Sequence, residues 1–514
     1  MKLAILGGGG VRMPAFVRAV LASRPGMFDE ICLFEPDAQR RNTICRLAAG
    51  IADALGHPGV VTVTPDAAEA FTRADYVFSA IRVGGDRGRV IDEQVALARG
   101  IVGQETTGAG GCAMALRTIP VVLAYCDLLS RCSPDAVLIN FTNPAGLITQ
   151  AISAQGKVRA VGVCDTPGGT VERLAEFLGG GGSGDGEIAA SYAGLNHLGW
   201  VSSLRIGGQE RIGELLARFE EVQRFDHRFA AFDPSMVRRV GALPTEYVYY
   251  FYDSRRYLDG VAQAGSSRGQ DVLRLNNELL ADLSKAFGSD GVDAAWSAYD
   301  MLLGVRRDTY MHTDMQGDNG QGEARARRAA RPGSGLAGAR VGGYEGLALR
   351  VIDGLSGRAP RELIVNTRNG GGVGPAGTAA GTRLTQALSS AGPAADLRQA
   401  GSGGDLRQAA SSAGSGGKLS LPFLAPDDVV EAPALVSPGG VTPRPASGLP
   451  SSGQALIMQV KEYERGVVEA AMTGDADLAA VALALHPLVP GITAARELIA
   501  EYRAAHGEHL AYLR

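Results

Sequence analysis

Short apolar runs alternate with amphipathic stretches along the first third of the chain. The β-rich runs read LAIL, EICLF, VVTVT, DYVFSAI, AVLINFT and VRAVGVC, and the segments between them are rich in Ala, Arg and Leu. Strands that alternate with helical periods in this way are typical of parallel βαβ units with helices on both faces of the sheet. The pattern therefore predicts a doubly wound, Rossmann-type parallel sheet over residues 1–165.

The apolar pattern changes beyond residue 165. EIAASYAGL and VSSLRI predict further strands, whereas NNELLADLSKAF and ALIMQVKEYERGVVEAAM have helical spacing. We expect an α+β domain over residues 166–514, which would give the α/β chain an architecture like that of lactate and malate dehydrogenases. Residues 370–418 are rich in Gly, Ala and Ser and contain DLRQA twice, which predicts a low-complexity insertion.

Composition limits the partners that the chain can have. A content of 45% apolar residues in 514 is enough for a large core, and a net charge of −4 gives no long-range attraction to nucleic acid or to membrane surfaces. Six cysteines without CxxC spacing are too few to predict a disulfide scaffold. The chain has no uninterrupted run of about 18 apolar residues, so we expect no membrane span. We expect a cytoplasmic protein that acts on a small molecule.

Four consecutive glycines follow the first strand directly. They are Gly7, Gly8, Gly9 and Gly10. Backbone amides at this position, where a strand leads into a helix, can approach a pyrophosphate. The match to GxGxxG is imperfect, because Arg12 stands where the third glycine is expected. The sequence still predicts a dinucleotide site here, because the loop joins the first strand to a helix.

The second predicted strand ends in Glu35. A carboxylate at this position can accept hydrogen bonds from both ribose hydroxyls of NAD and would repel the 2′-phosphate of NADP. Arg40 and Arg41 lie nearby in the sequence and weaken this preference. We predict NAD as the cofactor, with Glu35 and Arg40 among the residues that bind it.

Five further motifs carry a more specific resemblance. They are IRVGGDRGRVIDE (81–93), GIVGQETTGAGG (100–111), INFTNPAG (139–146), GVCDTPGG (162–169) and GLNHLGW (194–200). In their order, spacing and residue identities they resemble the motifs of glycoside hydrolase family 4, whose members are glycosidases that depend on NAD and a divalent metal. The resemblance covers nearly the whole chain and fails in the glycine- and serine-rich insertion. It also implies a homodimer or a homotetramer.

The resemblance implies that Cys164 and His197 hold the metal, with Mn²⁺ the usual ion. A thiolate and an imidazole form a mixed site that suits such transition metals and leaves positions open for substrate oxygens. On residue types alone, Cys164 could equally be a small buried hydrophobe, and His197 a hydrogen-bonded core residue.

Three residues are candidates for proton transfer. The resemblance places the family's catalytic base, a tyrosine, in GALPTEYVYYFYD (241–253), where the position after Pro-x-x is Tyr247, with Tyr249 and Tyr250 as alternatives. Asp165 is a candidate acid for the leaving oxygen, although it could instead only cap a helix that begins after Gly168. Glu105 is a candidate second acid/base or a group close to the metal.

Four residues are candidates for substrate contact. Arg82, Arg89 and Arg268 stand where the family faces its substrate, and a guanidinium is a natural partner for a phosphate dianion. We also expect Asn143, in INFTNPAG, to bond a sugar hydroxyl and the nearby cofactor.

The implied reaction is hydrolysis of 6-phospho-β-glucosides such as phosphorylated cellobiose-type disaccharides and aryl glucosides. Oxidation by NAD at C3 makes the C2 proton acidic, the base removes that proton, the aglycone is eliminated, water adds, and the hydride returns. Asp165 is more typical of α-specific members, so a 6-phospho-α-glucosidase is one alternative. A 2-hydroxyacid dehydrogenase and a non-catalytic protein that binds NAD and a sugar phosphate are the others.

Overall fold

A computed structural model describes residues 1–180, 187–289, 291–310, 343–371 and 419–514. Within these residues the strands join one 13-stranded sheet. The strands are β1 (Lys2–Leu6), β2 (Glu30–Phe34), β3 (Val61–Thr64), β4 (Tyr76–Ser79), β5 (Val137–Asn140), β6 (Arg159–Gly162), β7 (Ile188–Leu195), β8 (Leu198–Ile206), β9 (Gln209–Glu210), β10 (Leu243–Pro244), β11 (Arg361–Arg368), β12 (Val429–Ser437) and β13 (Gly440–Pro443).

Helices cover both faces of this sheet. The α-helices within the described residues are Met13–Ser23, Ala38–Arg40, Arg46–Ala54, Ala67–Phe71, Gly85–Leu97, Gly108–Cys132, Ala145–Gln155, Asp165–Phe177, Ile212–Ala217, Phe219–Phe225, Pro234–Val240, Tyr249–Tyr252, Ser254–Ala264, Arg268–Ser289, Gly291–Asp308, Gly343–Leu355, Ser451–Thr473, Ala476–Ala484 and Ile492–His506. A π-helical turn spans Arg41–Cys45, and short 3₁₀ turns span His227–Phe229, Glu246–Val248 and Gly507–Leu510.

The strand order confirms the predicted α/β class. Strands β6, β5, β4, β1, β2 and β3 lie side by side in that order and pair in parallel, which is the doubly wound order of dinucleotide-binding folds. On the other side of β6 the sheet continues through β11, β12, β7, β8 and β10 with antiparallel pairing. The division into domains at residue 165 stays a prediction, and residues 372–418 of the predicted insertion lie outside the described residues.

Strand β1 shows why its sequence is continuously apolar. Ala4 and Leu6 pack into one hydrophobic core, whereas Leu3 and Ile5 pack into a second core on the opposite face. Alternate side chains of a strand point to opposite faces, and a parallel strand covered by helices on both faces must therefore be apolar at every position.

The helix Gly108–Cys132 is long and apolar enough, by length and composition alone, to cross a membrane. In the structure, 61% of its most apolar window is buried, as in the core helix of a folded domain. Arg117 in this helix forms two hydrogen bonds of 2.5 Å to the carboxylate of Asp92, and both side chains are fully buried. His506 lies 2.9 Å from the same carboxylate, so this cluster joins two consecutive helices to the helix Ile492–His506 near the end of the chain.

We expect the substitution Arg117→Met to lower the free energy of unfolding by about 3–5 kcal/mol, because it leaves the buried Asp92 carboxylate without its main partner. Urea denaturation followed by circular dichroism measures this change. Arg99→Met is the control, because Arg99 pairs with Glu497 and Glu501 at the surface, where solvent screens an ion pair and its loss changes stability little. Equal losses in the two variants would contradict a structural role for the buried pair.

Candidate functional site

A cleft of about 2140 Å³ opens at the carboxyl ends of the parallel strands, where ligands bind in open α/β sheets. Most residues predicted from the sequence line it: Gly7, Gly10, Glu35, Arg40, Arg82, Arg89, Glu105, Asn143, Cys164, Asp165, His197, Tyr247 and Arg268. The remaining two predicted residues, Gly8 and Gly9, lie in the loop between Gly7 and Gly10. The fold therefore brings the candidates for cofactor, metal, substrate and proton transfer to a single cavity.

The glycine loop is closely packed against β2 and β4. Gly7 has a φ of 95°, and a Cβ at this position would stand 2.8 Å from the carbonyl oxygen of Ala80. A Cβ on Gly9 would stand 2.5 Å from a carboxylate oxygen of Glu35, which accepts a hydrogen bond of 3.0 Å from the Gly9 amide. Arg40 donates to the Gly9 carbonyl at 2.9 Å. The amides of these glycines bond Phe34, Glu35 and Gly7 within the protein, so the loop fits a dinucleotide through the space that the missing side chains leave and not through free amides.

Cys164 and His197 meet although they come from different halves of the sheet. Cys164 follows β6, and His197 lies in the tight turn between β7 and β8 with a φ of 64°. The Cys164 Sγ and the His197 Nε2 are 3.6 Å apart. Two atoms that ligate the same metal at bond lengths of about 2.0–2.3 Å lie roughly 3–4 Å apart. The distance between Sγ and Nε2 therefore fits a shared metal ion.

The protonation of this pair is governed by burial. Burial lowers the pKa of His197 to about 4, although the Glu105 carboxylate opposes this, so the imidazole is neutral at pH 7 and can bind a metal. Burial, together with the nearby Glu431 and Asp165, raises the pKa of the Cys164 thiol well above its ordinary value. Among the described residues, no group of three or more His, Cys, Asp and Glu side chains is arranged to hold a metal. Further ligands would therefore have to come from outside this set.

Glu431, which the sequence analysis did not identify, anchors the turn that carries His197. Its buried carboxylate, on β12, accepts hydrogen bonds from Tyr192 at 2.6 Å, from Asn196 at 3.1 Å and from Asn366 at 3.0 Å. Burial raises the pKa of Glu431 to about 7, although the three donors oppose the shift. Asn196 directly precedes His197, so the carboxylate holds the turn that carries His197 against β11 and β12.

Tyr247 stacks on the imidazole of His197, with ring centroids 3.7 Å apart and ring planes within 7° of each other. Tyr310, which the sequence analysis also missed, donates a hydrogen bond of 2.7 Å to the Tyr247 hydroxyl. Burial and the Glu246 carboxyl raise the pKa of Tyr247 well above its ordinary value, and this hydrogen bond opposes them. Of the alternatives, Tyr250 also borders the cleft and Tyr249 is fully buried outside its lining. The position of Tyr247 beside the metal-site imidazole favours it as the base.

Glu105 lies between two arginines. Its carboxylate contacts Arg82 at 2.5 Å and Arg89 at 2.8 Å. Burial alone would raise the pKa of Glu105, but the two guanidinium groups outweigh it and lower that pKa to about 2. Glu105 is therefore ionised at neutral pH, which favours a role in orienting the arginines over one as a proton donor.

A second carboxylate links the predicted arginines Arg89 and Arg268. Glu93 accepts a hydrogen bond of 2.7 Å from Arg89 Nε and one of 2.6 Å from the backbone amide of Gly269. A Cβ on Gly269 would stand 2.6 Å from the Glu93 carboxylate, so only glycine permits this approach. Glu93 thus fixes the start of the helix that carries Arg268.

Arg306 adds a further guanidinium to this end of the cleft. Its Nη1 donates to Asn276 at 2.8 Å, and its carbonyl accepts a hydrogen bond of 2.8 Å from Arg268. Burial lowers the pKa of Arg306 to about 9, and repulsion from Arg12 and Arg268 contributes. The cleft therefore concentrates positive charge at this end, as expected for an anion site.

Asp165 is the first residue of the helix Asp165–Phe177, and Cys164 is the N-cap residue without a side-chain capping bond. The sequence alternative of a helix that begins after Gly168 is therefore wrong. In the structure the Asp165 side chain borders the cleft next to Cys164, where it can reach a substrate.

Comparisons with known proteins cover nearly the whole chain. A family model described as "Family 4 glycosyl hydrolase" matches residues 2–180, and the C-terminal domain of the same family matches residues 192–374 and 416–489. A probable 6-phospho-beta-glucosidase of Bacillus subtilis is 24% identical over 99% of this chain and 97% of its own length. A 6-phospho-alpha-glucosidase of Lacticaseibacillus paracasei is 33% identical over 39% of this chain and 46% of its own length.

A solved structure of the 6-phospho-beta glucosidase from Thermotoga maritima, with manganese, NAD⁺ and glucose-6-phosphate, has a similar fold. Its TM-score is 0.71 at 22% identity, and the match covers 99% of each chain.

We expect Cys164→Ser and His197→Ala each to abolish Mn²⁺ binding while NAD binding is retained, because the glycine loop and the Cys164–His197 pair follow different strands. Isothermal titration of each ligand measures both effects. Cys132→Ser is the control, because Cys132 is partly exposed at the far end of the helix Gly108–Cys132. Unchanged Mn²⁺ affinity in either site variant would show that the metal binds elsewhere.

Proposed function

This chain belongs to the family 4 glycosyl hydrolases, and from that premise we propose that it hydrolyses 6-phospho-β-glucosides with NAD and a divalent cation, Mn²⁺ in the first instance. The observation that carries the proposal is the meeting of a dinucleotide loop, a Cys164–His197 pair and a stacked Tyr247 in one cleft. A cleft that only bound NAD would need neither the thiol nor the tyrosine.

Different residues of the chain would bind NAD and the divalent cation. The glycine loop, whose own amides bond Phe34, Glu35 and Gly7, would lie against the cofactor's pyrophosphate, and Glu35 would face the ribose hydroxyls. Cys164 Sγ and His197 Nε2 would hold the cation, and sugar hydroxyls would complete its ligands. When bound, NAD would take and return a hydride at C3, and the cation would stabilise negative charge on the C2 and C3 oxygens.

Proton transfer is assigned to Tyr247 and Asp165. Tyr247 removes the proton at C2, and the hydrogen bond from Tyr310 stabilises its phenolate form. Asp165 protonates the leaving oxygen from the start of the helix Asp165–Phe177. Asn143 borders the same cavity and orients a sugar hydroxyl.

The phosphate is assigned to the positively charged end of the cleft. Arg89 already faces the carboxylates of Glu93 and Glu105. Burial and, after it, repulsion from Arg12 and Arg268 lower the pKa of Arg306, which lies beside Arg268, and a phosphate dianion between Arg268 and Arg306 would offset that repulsion. We therefore assign direct phosphate contact to Arg268 and Arg306, with Arg82 and Arg89 oriented around it by Glu105.

The alternative that a specific residue favours is hydrolysis of the α-anomer, because Asp165 is more typical of the α-specific members. Assays with p-nitrophenyl 6-phospho-β-glucoside and its α-anomer, each with NAD and Mn²⁺ under reducing conditions, decide between the two. A 2-hydroxyacid dehydrogenase would instead consume NADH with a 2-keto acid and no metal, and a binding protein would turn over neither glucoside.

We further propose a cytoplasmic location and a homodimeric or homotetrameric state. All six cysteines are free thiols in the structure, as a reducing compartment requires.

Hydrolysis in D₂O tests the order of bond changes. We expect deuterium at C2 of the released sugar phosphate, because the eliminated intermediate takes its proton from solvent. Tyr247→Phe should suppress this exchange while NADH still forms from bound substrate, and Tyr310→Phe should slow it. Mass spectrometry of the product measures the incorporation. An active, NAD-requiring preparation without C2 exchange would contradict elimination, and exchange that persists in Tyr247→Phe would move the base to another group.

We expect Arg268→Ala and Arg306→Ala each to lower kcat/KM for the phosphorylated substrate, because each removes a charged partner of the phosphate. The loss should correspond to about 2–4 kcal/mol of transition-state stabilisation. Unphosphorylated p-nitrophenyl glucoside should be barely affected. Arg87→Ala is the control, because Arg87 is exposed on the same helix as Arg89. Equal losses on both substrates would show that Arg268 and Arg306 act on the fold and not on the phosphate.

A further inference from the structure

The imidazole of His197 is held from its Nδ1 side by a chain of hydrogen bonds. The Thr106 hydroxyl lies 2.7 Å from His197 Nδ1 and also 2.7 Å from Gln104 Oε1. The backbone amide of Thr106 donates to the same Gln104 oxygen at 2.6 Å. All three side chains are buried, so bulk water does not compete for these contacts.

The direction of each bond in this chain follows from the number of protons available. A backbone N–H can only donate, so the Gln104 atom that it meets must be the amide oxygen, which can only accept. The Thr106 hydroxyl has one proton, and its short contact with that oxygen requires the proton to lie between them. The Thr106 oxygen must then accept from His197, which places the proton of the neutral imidazole on Nδ1.

The opposite tautomer is unfavourable in this arrangement. If Nε2 carried the proton, the Thr106 hydroxyl would have to donate to Nδ1. The Thr106 and Gln104 oxygens would then face each other at 2.7 Å without a proton between them. Stacking on Tyr247 fixes the plane of the imidazole ring but does not distinguish its two nitrogens. The choice of tautomer therefore depends on the Gln104–Thr106 chain.

We propose that Gln104 and Thr106 are positioning residues that hold His197 in the Nδ1-protonated tautomer, so that the Nε2 lone pair faces Cys164 and is ready to bind a divalent cation. The proposal rests on the proposed function for the identity of the ligand, but the tautomer itself is a property of the metal-free chain. When a metal-binding histidine loses the hydrogen-bond partner of its other ring nitrogen, metal affinity typically falls by about 10–100-fold.

Two substitutions of Thr106 form a matched pair that tests this chain. Thr106→Ser keeps the hydroxyl, whereas Thr106→Val keeps the shape and removes it. In protein labelled with ¹⁵N-histidine, the ring nitrogen shifts report the tautomer, and the seven histidines of the chain are few enough to assign His197 by its loss in His197→Gln. Titration with Mn²⁺ alone, followed by electron paramagnetic resonance, gives the metal affinity, and NAD titration reports the integrity of the fold.

We expect the parent and Thr106→Ser to show a protonated Nδ1 and equal Mn²⁺ affinity. Thr106→Val should show a substantial population with protonated Nε2 and about 10–100-fold weaker Mn²⁺ binding, with NAD affinity unchanged. Should Thr106→Val not fold, Gln104→Met serves instead, because it frees the hydroxyl to donate to Nδ1 and should shift the tautomer in the same direction.

A protonated Nδ1 in the folded Thr106→Val or Gln104→Met variant would overturn the proposal, as would Mn²⁺ affinity within twofold of the parent. If the parent bound no Mn²⁺ but its tautomer responded to these substitutions as described, the positioning role would stand and the metal-dependent function would fail. The two ideas are thus separated by the same set of spectra and titrations.

Discussion

The buried carboxylate of Glu431 is the constraint on which the geometry of the site depends. Cys164 belongs to the parallel half of the sheet and His197 to the antiparallel half, and no local sequence feature forces them together. Glu431 joins β12 to Tyr192, to Asn196 beside His197, and to Asn366 on β11. Since β11 also pairs with β6 at Gly162, two residues before Cys164, the same few contacts fix both members of the pair.

Charge divides the cleft into two ends with different chemistry. At one end burial, Glu431 and Asp165 raise the pKa of the Cys164 thiol, and the same two acidic groups would favour a cation bound between Cys164 and the neutral imidazole of His197. At the other end Arg268 and Arg306 are close enough to repel each other, and this end gains most from an anion. A substrate with hydroxyls at one end and a phosphate at the other, as proposed, would be held in a single orientation by this asymmetry.

The sequence predicted the candidate site residues that lie at the ends of parallel strands. It did not predict several others, whose position depends on contacts between distant segments. Gly7, Glu35 and Cys164 each come directly after or at the end of a predicted parallel strand, and the edge at which such strands end is common to all of them. Tyr310 and Arg306 lie near the end of a helix whose apolar spacing carries no sign of a site. Glu431 was missed for a different reason, because no short turn joins β12 to its partners β11 and β7, and without such a turn the sequence does not show which residues pair.

The strand order bears on the proposal that a cofactor and a metal act on one sugar. Along the edge of the sheet, β1 is followed by β4, β5 and β6. The glycine loop, Arg82, Asn143 and Cys164 follow these strands in the same order. Neighbouring strands lie about 4.8 Å apart, so the loop and the thiol are separated by three such steps, roughly 14 Å. The space between them lies above β4 and β5, and a sugar placed there meets the cofactor on one side and the Cys164–His197 pair on the other. The proposed hydride transfer and proton removal at adjacent carbons would need a cofactor and a base on either side of one sugar, and the order of these strands is compatible with that.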